Sequence, residues 1–308
     1  MQKEKPQIIC IVGPTASGKT SAAIDYAKKH SGYVISADSR QLYRGMNIGT
    51  AKPVGKMHKL PDMDLEAYVV EDVPHFMIDI ADPDNPLTLA DYQEQVYTIL
   101  QNENLQKHYK TPLLVGGTGL YIQSIVDNYT LPHGEPNQDL RVNLESKDLE
   151  ELQTMLQEQD PQSYKVIDIQ NKRRLIRALE HTLTTGDSFA DAQRANKSPY
   201  TFILYGISVQ KDILHTRINT RVDEMIKSGL IEEVRSLYTK YGKIQTLDTI
   251  GYTEVINYLN GNLEKQEAIE QIKVHTRQYA KRQMTWFKRD KRIQWTEDSS
   301  TISKTPTL

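Results

Sequence analysis

Short apolar runs alternate along the chain with longer segments of helical period, and that alternation predicts an α/β fold. The run Ile8-Ile9-Cys10-Ile11-Val12, within residues 7–12, reads as a short buried strand ending at Gly13-Pro14. A helix is predicted over 19–30, opened by a glycine turn and closed near Ser31-Gly32. Tyr33-Val34-Ile35-Ser36 and Phe76-Met77-Ile78-Asp79-Ile80 predict two more strands. Pro112-Leu113-Leu114-Val115 predicts another, cut off by Gly116-Gly117-Thr118-Gly119. The segment 44–74 is rich in Gly, Pro, Lys and Asp, lacks a sustained period and is expected to be a loop. Thr88 offers an N-cap for a helix from about Leu89 to Asn104. Strands alternating with helices imply a parallel sheet with helices on its faces.

After Tyr121 the texture changes. Residues 138–195 lack strand-like runs and are charged and helical in period, which predicts an inserted helical subdomain. The run Phe202 to Val209 returns to strand character and should rejoin the sheet. From about Asp212 to Lys288 the pattern is mainly helical, interrupted at Gly229, Gly242, Gly251 and Gly261. The expected division is a first core part over 1–125, a helical insertion over 126–200, core completion with basic helices over 201–295, and a frayed polar tail over 296–308. The fold class expected is an α/β P-loop core with a parallel sheet, an inserted helical subdomain and a helical C-terminal region.

Composition narrows the chemistry. A chain of 308 residues, 38% hydrophobic and 25% charged, fits one large domain or a core carrying a smaller insert. The single cysteine, Cys10, excludes an internal disulfide and a multi-cysteine zinc site, and inside its apolar run it reads as a small buried hydrophobe. The first apolar run is too short to span a membrane and leads into a glycine turn instead of a cleavage site. A cytoplasmic location with no membrane partner is therefore expected, with a monomer as the default state. The formal net charge of −2 gives no global attraction to nucleic acid. Its distribution is more informative. Residues 273–292 carry eight Lys/Arg and one acid, Asp290, whereas Glu135 to Asp160 is mainly acidic.

Gly13-Pro14-Thr15-Ala16-Ser17-Gly18-Lys19-Thr20 has P-loop spacing between a strand and a helix. Gly13 and Gly18 allow the backbone to curl into an anion nest, and the following helix adds the positive end of its dipole. Lys19 supplies a full charge, and the Thr20 hydroxyl is placed to ligate Mg²⁺. Most such loops hold nucleoside triphosphates, so a kinase or NTPase is the first presumption. Such enzymes place a magnesium-binding aspartate at the end of a second strand. Here Leu113-Leu114-Val115 ends in glycines and threonine, which leaves Asp79 as the only other acid in a clear apolar strand.

Further blocks carry a more specific resemblance. They are Ile35 to Tyr43 (Ile-Ser-Ala-Asp-Ser-Arg-Gln-Leu-Tyr), Gly49 to Pro53, Ala90-Asp91-Tyr92, Leu114 to Tyr121, Arg174 to Glu180, Ile250-Gly251-Tyr252, and the basic stretch Thr276 to Phe287. Together with the P-loop, and in this order from residue 13 to about 290, they resemble the tRNA dimethylallyltransferase family. That resemblance implies that the P-loop holds the diphosphate of dimethylallyl diphosphate instead of ATP. It also implies that the acceptor is N6 of the adenosine 3' to the anticodon in a tRNA anticodon stem-loop, giving N6-isopentenyladenosine. One cysteine cannot build the zinc-finger extension of eukaryotic relatives, so the bacterial type is implied. The stretch Val54 to Val70 looks longer than is usual in the family.

The resemblance also assigns roles. Asp38 matches the catalytic aspartate, expected to act as the base toward the adenine amine, with a helix cap or a pair with Arg40 as the alternative. Ser39, Arg40 and Gln41 are expected to line the flipped base, and Thr15 to hold the diphosphate or the reacting geometry. Thr118 matches an acceptor-side contact, though a Gly-Gly-Thr-Gly turn also simply ends a strand. Arg141 matches a tRNA-contact arginine. Arg173, Arg174 and Arg177 lie on the insertion, with 173 and 177 on one helix face, suited to a phosphate clamp or to a solvated basic face. Arg217 and Arg221 are one turn apart; at least one is expected to reach the diphosphate, the alternative being salt bridges to Asp223 or Glu224. Gly251-Tyr252 would bring a ring near the anticodon loop or serve as a helix break with a core tyrosine. The rival functions are an adenylate isopentenyltransferase acting on free nucleotide, a P-loop kinase and a non-catalytic RNA-binding protein. The long helical insertion and the basic C-terminal helices argue against the first, since a small acceptor needs neither.

Overall fold

In the computed structural model, residues 5–131, 137–192 and 196–304 are described. The chain begins with β1 (Gln7–Val12), α1 (Lys19–His30), β2 (Gly32–Ser36), β3 (Lys56–Lys59), β4 (Glu66–Val70) and β5 (Val73–Phe76). Helices α2 (Leu89–Gln101) and α3 (Glu103–His108) lead to β6 (Thr111–Gly116) and α4 (Gly119–Val126). Next come α5 (Gln138–Ser146), α6 (Leu149–Gln159), α7 (Pro161–Val166), α8 (Lys172–Thr185) and α9 (Phe189–Ala192). The chain then runs through β7 (Thr201–Ile207), α10 (Lys211–Lys227), α11 (Leu230–Tyr241), α12 (Tyr252–Leu259), α13 (Lys265–Phe287) and β8 (Gln294–Thr296).

The strands form one sheet in the order β3-β4-β5-β2-β6-β1-β7-β8. From β5 to β8 the pairing is parallel; Ile11, for example, stands level with Val115 on one side and Tyr205 on the other. Residues Ile8 to Val12 and all of β2 are buried, as parallel strands covered on both faces require. Alanines of α1 and the side chains of Ile9, Ile11, Leu113 and Val115 share one apolar cluster. Because β1, β2 and β6 are adjacent and parallel, the loops after their carboxyl ends converge, which is where open α/β sheets place ligands.

Three expectations need correction. The segment 44–74 is not all loop: β3 pairs antiparallel with β4, and β4 with β5. Every residue of β3 is exposed, so this charged edge strand carries no apolar run to reveal it. The strand expected over Phe76 to Ile80 lies earlier, at Val73–Phe76. Met77 and Asp79 adopt φ of 61° and 55°, and Ile78, although buried, sits in a turn. A continuous apolar run reports burial, not backbone conformation. The tail is not frayed through its described part. β8 pairs with β7, a 3₁₀ turn follows at Ser299–Lys304, and Ile302 is buried in the cluster around α1.

Residues Gln123–Ser198, with Leu89–Asp91, form a separate compact unit. Its core joins Leu144, Leu152, Leu156, Leu175, Leu179 and Phe189. Asp160 caps α7 and accepts hydrogen bonds from the N–H groups of Ser163 and Phe189 and the hydroxyls of Thr182 and Ser188. Gly229 and Gly242 flank α11, and Gly251 precedes α12, so the glycine interruptions in the sequence fall at helix boundaries.

Candidate active site

The donor side of the site is built by the loop after β1. Gly13 has a positive φ, and a Cβ there would stand 2.7 Å from the Ile207 carbonyl, so only glycine lets the loop leave the strand against β7. Gly18, also at positive φ, precedes α1, whose first turn has no side-chain cap, leaving its N–H groups for an anion. Lys19 Nζ donates to the Pro14 carbonyl at 2.6 Å. Burial pushes its pKa down to about 8; the Asp38 carboxylate opposes the shift and Arg221 reinforces it. Arg221 on α10 directs Nη1 to the Thr15 hydroxyl at 3.5 Å, while Arg217, one turn earlier, is exposed. Asp223 is instead paired with Lys273, at 2.9 Å. Ser17 contributes a buried hydroxyl with no hydrogen-bond partner among the described residues.

The acceptor side is built where β2 and β6 end together. The Ala37 N–H donates to Val115 O at 2.7 Å, and Thr118 N–H donates to Ala37 O at 3.1 Å, carrying the pairing one step past both strands. A Cβ on Gly116 would sit 2.1 Å from Ala37 O, so the glycine is required for this approach. Thr118 Oγ1 accepts the Ser39 N–H at 3.1 Å. Asp38 lies between, with Oδ1 accepting the Arg40 N–H at 2.9 Å. Burial raises the Asp38 pKa, while the Arg40 N–H, Lys19, the Gln41 N–H and the Arg40 charge pull the other way. The Asp38 carboxylate and the Lys19 ammonium thus act on each other electrostatically, one from the turn after β2 and one from the loop after β1. Gln41 braces this turn by accepting from the Ser36 hydroxyl and donating to Thr50 O, both at 3.3 Å. Arg40 reaches Thr246 O at 3.5 Å.

Two side chains of α13 enter the site: Tyr279, one of the aromatics interleaved in the basic stretch, and Gln283, which the sequence does not single out. The Tyr279 phenol bonds to the Thr118 side chain, and burial together with the nearby Asp38 pushes its pKa up to about 12. Gln283, one turn on, is buried and bonds to the backbone of both Thr15 and Gly117. The available signal was a polar residue on the helix face that otherwise carries Ala280 and Phe287, both buried. The charge of the basic stretch obscured it. That charge itself divides. Lys273 and Arg277 are engaged with Asp223 and Asn219, and Arg292 with Asp290. Lys281, Arg282, Lys288 and Arg289 are exposed, and a concavity of about 530 Å³ is lined by Gln278, Lys281, Arg282, Thr285, Trp286 and Arg289.

Arg173, Arg174 and Arg177 are exposed on α8 of the helical unit. In the same unit Arg141 is held at 2.7 Å by Glu180. The expectation that Gly251 and Tyr252 meet RNA is corrected: both are buried, and Tyr252 is completely so. The Tyr252 ring packs on Gly49, where a Cβ would approach to 2.4 Å, and its hydroxyl donates to Glu233 at 2.7 Å. Glu233 also receives the N–H groups of Asn47, Ile48 and Gly49, so this tyrosine secures the loop that follows Tyr43. Asp79 is tied up as well, in an ion pair with the buried Lys52.

The residues present fit a magnesium ion of the kind held mainly by substrate phosphates. The Thr20 hydroxyl heads α1 in solvent contact and makes no hydrogen bond to a described residue. No cluster of three or more His, Cys, Asp or Glu suited to a metal occurs among the described residues. Mg²⁺ commonly takes few protein ligands and completes its octahedron with phosphate oxygens and water.

Comparison with known proteins agrees with this geometry. The sequence pattern of the IPP transferase family matches residues 41–290, and that of isopentenyl transferases matches residues 6–61. The chain is 42% identical over 298 residues to the tRNA dimethylallyltransferase of Oceanobacillus iheyensis, covering 94% of this chain and 91% of the relative. It is similar to the crystal structure of the full-length tRNA isopentenylpyrophosphate transferase from Bacillus halodurans, with a TM-score of 0.67 and 36% identity, covering 98% of this chain and 94% of that one. A eukaryotic dimethylallyltransferase captured acting on tRNA aligns with a TM-score of 0.72 at 26% identity, over 92% of this chain and 70% of the other. Matched by the family pattern over residues 41–290 and 42% identical to a relative covered over 91% of its length, the chain belongs to the tRNA dimethylallyltransferase, or IPP transferase, family.

Proposed function

We propose that this enzyme transfers the dimethylallyl group of dimethylallyl diphosphate to N6 of the adenosine 3' to the anticodon in tRNA, forming N6-isopentenyladenosine. The observation that carries the reading is the electrostatic interaction of Lys19 in an anion-binding loop with Asp38 in the turn after β2, both at the carboxyl ends of the sheet strands. The C1–O bond of the donor breaks, and the charge on the departing diphosphate is met by Lys19, Arg221 and the N-terminus of α1. The N6–C1 bond forms, and the N6 proton passes to the Asp38 carboxylate and from there to solvent. The products are diphosphate, prenylated tRNA and one proton. Mg²⁺ held through Thr20 and the diphosphate would add Lewis-acid stabilisation of the leaving group.

Ser39, Arg40, Gln41 and Thr118 surround the place of the acceptor base, which has to leave the anticodon-loop stack to reach so recessed a carboxylate. The residues available for phosphate contacts are the exposed Lys281, Arg282 and Arg289 in and just after α13 and, in the helical unit, Arg173, Arg174 and Arg177, together with Arg141, which pairs with Glu180. No helix among the described residues is long and apolar enough to cross a membrane. The enzyme acts as a cytoplasmic monomer in this reading.

The test is incubation with radiolabelled dimethylallyl diphosphate and Mg²⁺, offering unmodified tRNA, AMP and ATP as parallel acceptors, beside an Asp38→Ala variant. Label entering tRNA in the wild type and lost in the variant is the expected result. Label entering only AMP or ATP would reassign the enzyme to free nucleotides.

A further inference from the structure

A single side-chain amide joins the donor loop to the acceptor turn. Gln283 lies on α13, 6% exposed. Its Oε1 accepts the Thr15 N–H at 2.8 Å, and its Nε2 donates to the Gly117 carbonyl at 2.9 Å. Thr15 belongs to the P-loop after β1 and turns its hydroxyl toward Arg221. Gly117 belongs to the turn after β6, and the next residue, Thr118, holds the Ser39 N–H beside Asp38. Each end of the amide therefore grips one half of the reaction site.

We propose that Gln283 is a positioning residue for prenyl transfer, its amide setting the separation of the P-loop from the turn that carries Thr118 and abuts Asp38. The inference rests on the prenyl-transfer reading above. Its chemistry is directional. One partner is an N–H donor and the other a carbonyl acceptor, so the bridging group must accept at one end and donate at the other. A primary amide does this. A carboxylate of the same length could receive the Thr15 N–H but would set its second oxygen against the Gly117 carbonyl, adding negative charge next to the site of a leaving diphosphate. A thioether of the same length would leave both buried backbone groups unpaired.

The space around the amide has the same specificity. A Cβ on Gly117 would come within 2.1 Å of Gln283 Nε2, and one on Gly119 within 2.2 Å of the Trp286 ring. Both glycines of this turn are thus shaped to receive α13, one at the amide and one a turn later at the indole. The Thr15 N–H, being committed to Gln283, is not free for the diphosphate, so the anion is left to the later N–H groups of the loop, to Lys19 and to Arg221. The role of Gln283 is geometric: it neither touches the donor phosphates nor supplies a proton. Transfer between a bound donor and a bound acceptor depends steeply on the distance between reacting atoms, and displacing one by about 1 Å costs on the order of 10²-fold.

The experiment compares Gln283→Met and Gln283→Glu with wild type by single-turnover transfer to unmodified tRNA. Inorganic pyrophosphate with Mg²⁺ probes the donor loop, tRNA binding probes the acceptor side, and the thermal midpoint is recorded for each chain. The expected result for Q283M is a transfer rate down by about 10²-fold, with both dissociation constants within about threefold of wild type, as loss of an alignment felt only in the reacting complex requires. Q283E is expected to be slower still. Gly117→Ala displaces the same amide from the other side and should show the same split between rate and binding. An unchanged rate in Q283M overturns the proposal. So does a joint fall of rate, both affinities and thermal midpoint, which would mark a merely structural glutamine. A wild-type chain that does not prenylate tRNA at all would instead overturn the reading on which the proposal rests.

Discussion

Asp38 and Asp160 are both aspartates drawn out of bulk solvent, and their environments shift them in opposite directions. Burial raises the pKa of each. At Asp160 four donors, the N–H groups of Ser163 and Phe189 and the hydroxyls of Thr182 and Ser188, lie at 2.8–3.2 Å. Their combined effect outweighs burial and brings the carboxyl down to about 2. At Asp38 the Arg40 N–H is the near donor, Lys19 and Gln41 assist, and burial prevails. The helical unit uses a carboxylate to tie α6, α7, α8 and α9 together. The sheet core keeps a carboxylate that lacks such satisfaction and is consequently the better proton acceptor. What separates the two carboxylates is the number of hydrogen bonds to the charged form.

The largest effect that would break this contrast is chemical. Asp38→Asn preserves shape and removes the carboxylate proposed as the base, so the transfer rate is expected to fall about 10³-fold, within the range general-base removal gives, while pyrophosphate affinity holds. Retention of the rate would mean that Asp38 is only a cap for Arg40. The rate in the wild type should also fall as pH drops through the raised Asp38 pKa, because the protonated carboxyl cannot accept the N6 proton.

Asp160→Asn is the mirror experiment. It removes the charge and turns one acceptor oxygen into a donor facing donors, with an expected loss of about 2–3 kcal/mol of stability and no direct effect on chemistry. The sign follows from the depressed folded pKa. The stabilisation is fully present above the ordinary aspartate value and disappears as pH falls toward about 2. Thermal unfolding of the two chains should therefore converge between pH 4 and pH 2. A constant gap across that window would show that the charge is not what Asp160 contributes.

Lys19 gives a smaller effect with its own pH window. With a pKa near 8 in the free enzyme, most of its charge is gone at pH 9. Diphosphate favours the charged form, so pyrophosphate binding should weaken about tenfold from pH 7 to pH 9 and be accompanied by proton uptake. Calorimetry in buffers of different ionisation enthalpy reads that uptake directly. Lys19→Met should abolish the pH dependence along with most of the affinity.

These groups were legible in the sequence to different degrees, for physical reasons. The P-loop, Asp38 and the helix boundaries at glycines are local: their spacing encodes their geometry. The core strands announced themselves because both faces are buried. The hairpin of β3 and β4 did not, since a charged edge strand satisfies its residues with solvent. Gln283 was hidden, and Tyr279 was visible only as an aromatic of the basic stretch, because their partners, Thr15, Gly117 and Thr118, lie more than 150 residues away in sequence. Tyr252 misled for the opposite reason. An aromatic residue after a glycine fits a surface platform as well as a core plug, and only the Glu233 network decides.

That decision can be tested where the expected effect is smallest. Tyr252→Phe removes one hydroxyl donor from Glu233 and leaves the ring in its place against Gly49. Glu233 keeps the N–H groups of Asn47, Ile48 and Gly49, so its charge stays compensated. The expected cost is about 1 kcal/mol in stability, read from a denaturation midpoint. A ring sealed in the core has no RNA to stack on, so tRNA affinity should remain unchanged at every salt concentration. A variant of undiminished stability that binds tRNA more weakly would put the Tyr252 hydroxyl back at the RNA surface and make the loop after Tyr43 a mobile part of the acceptor site.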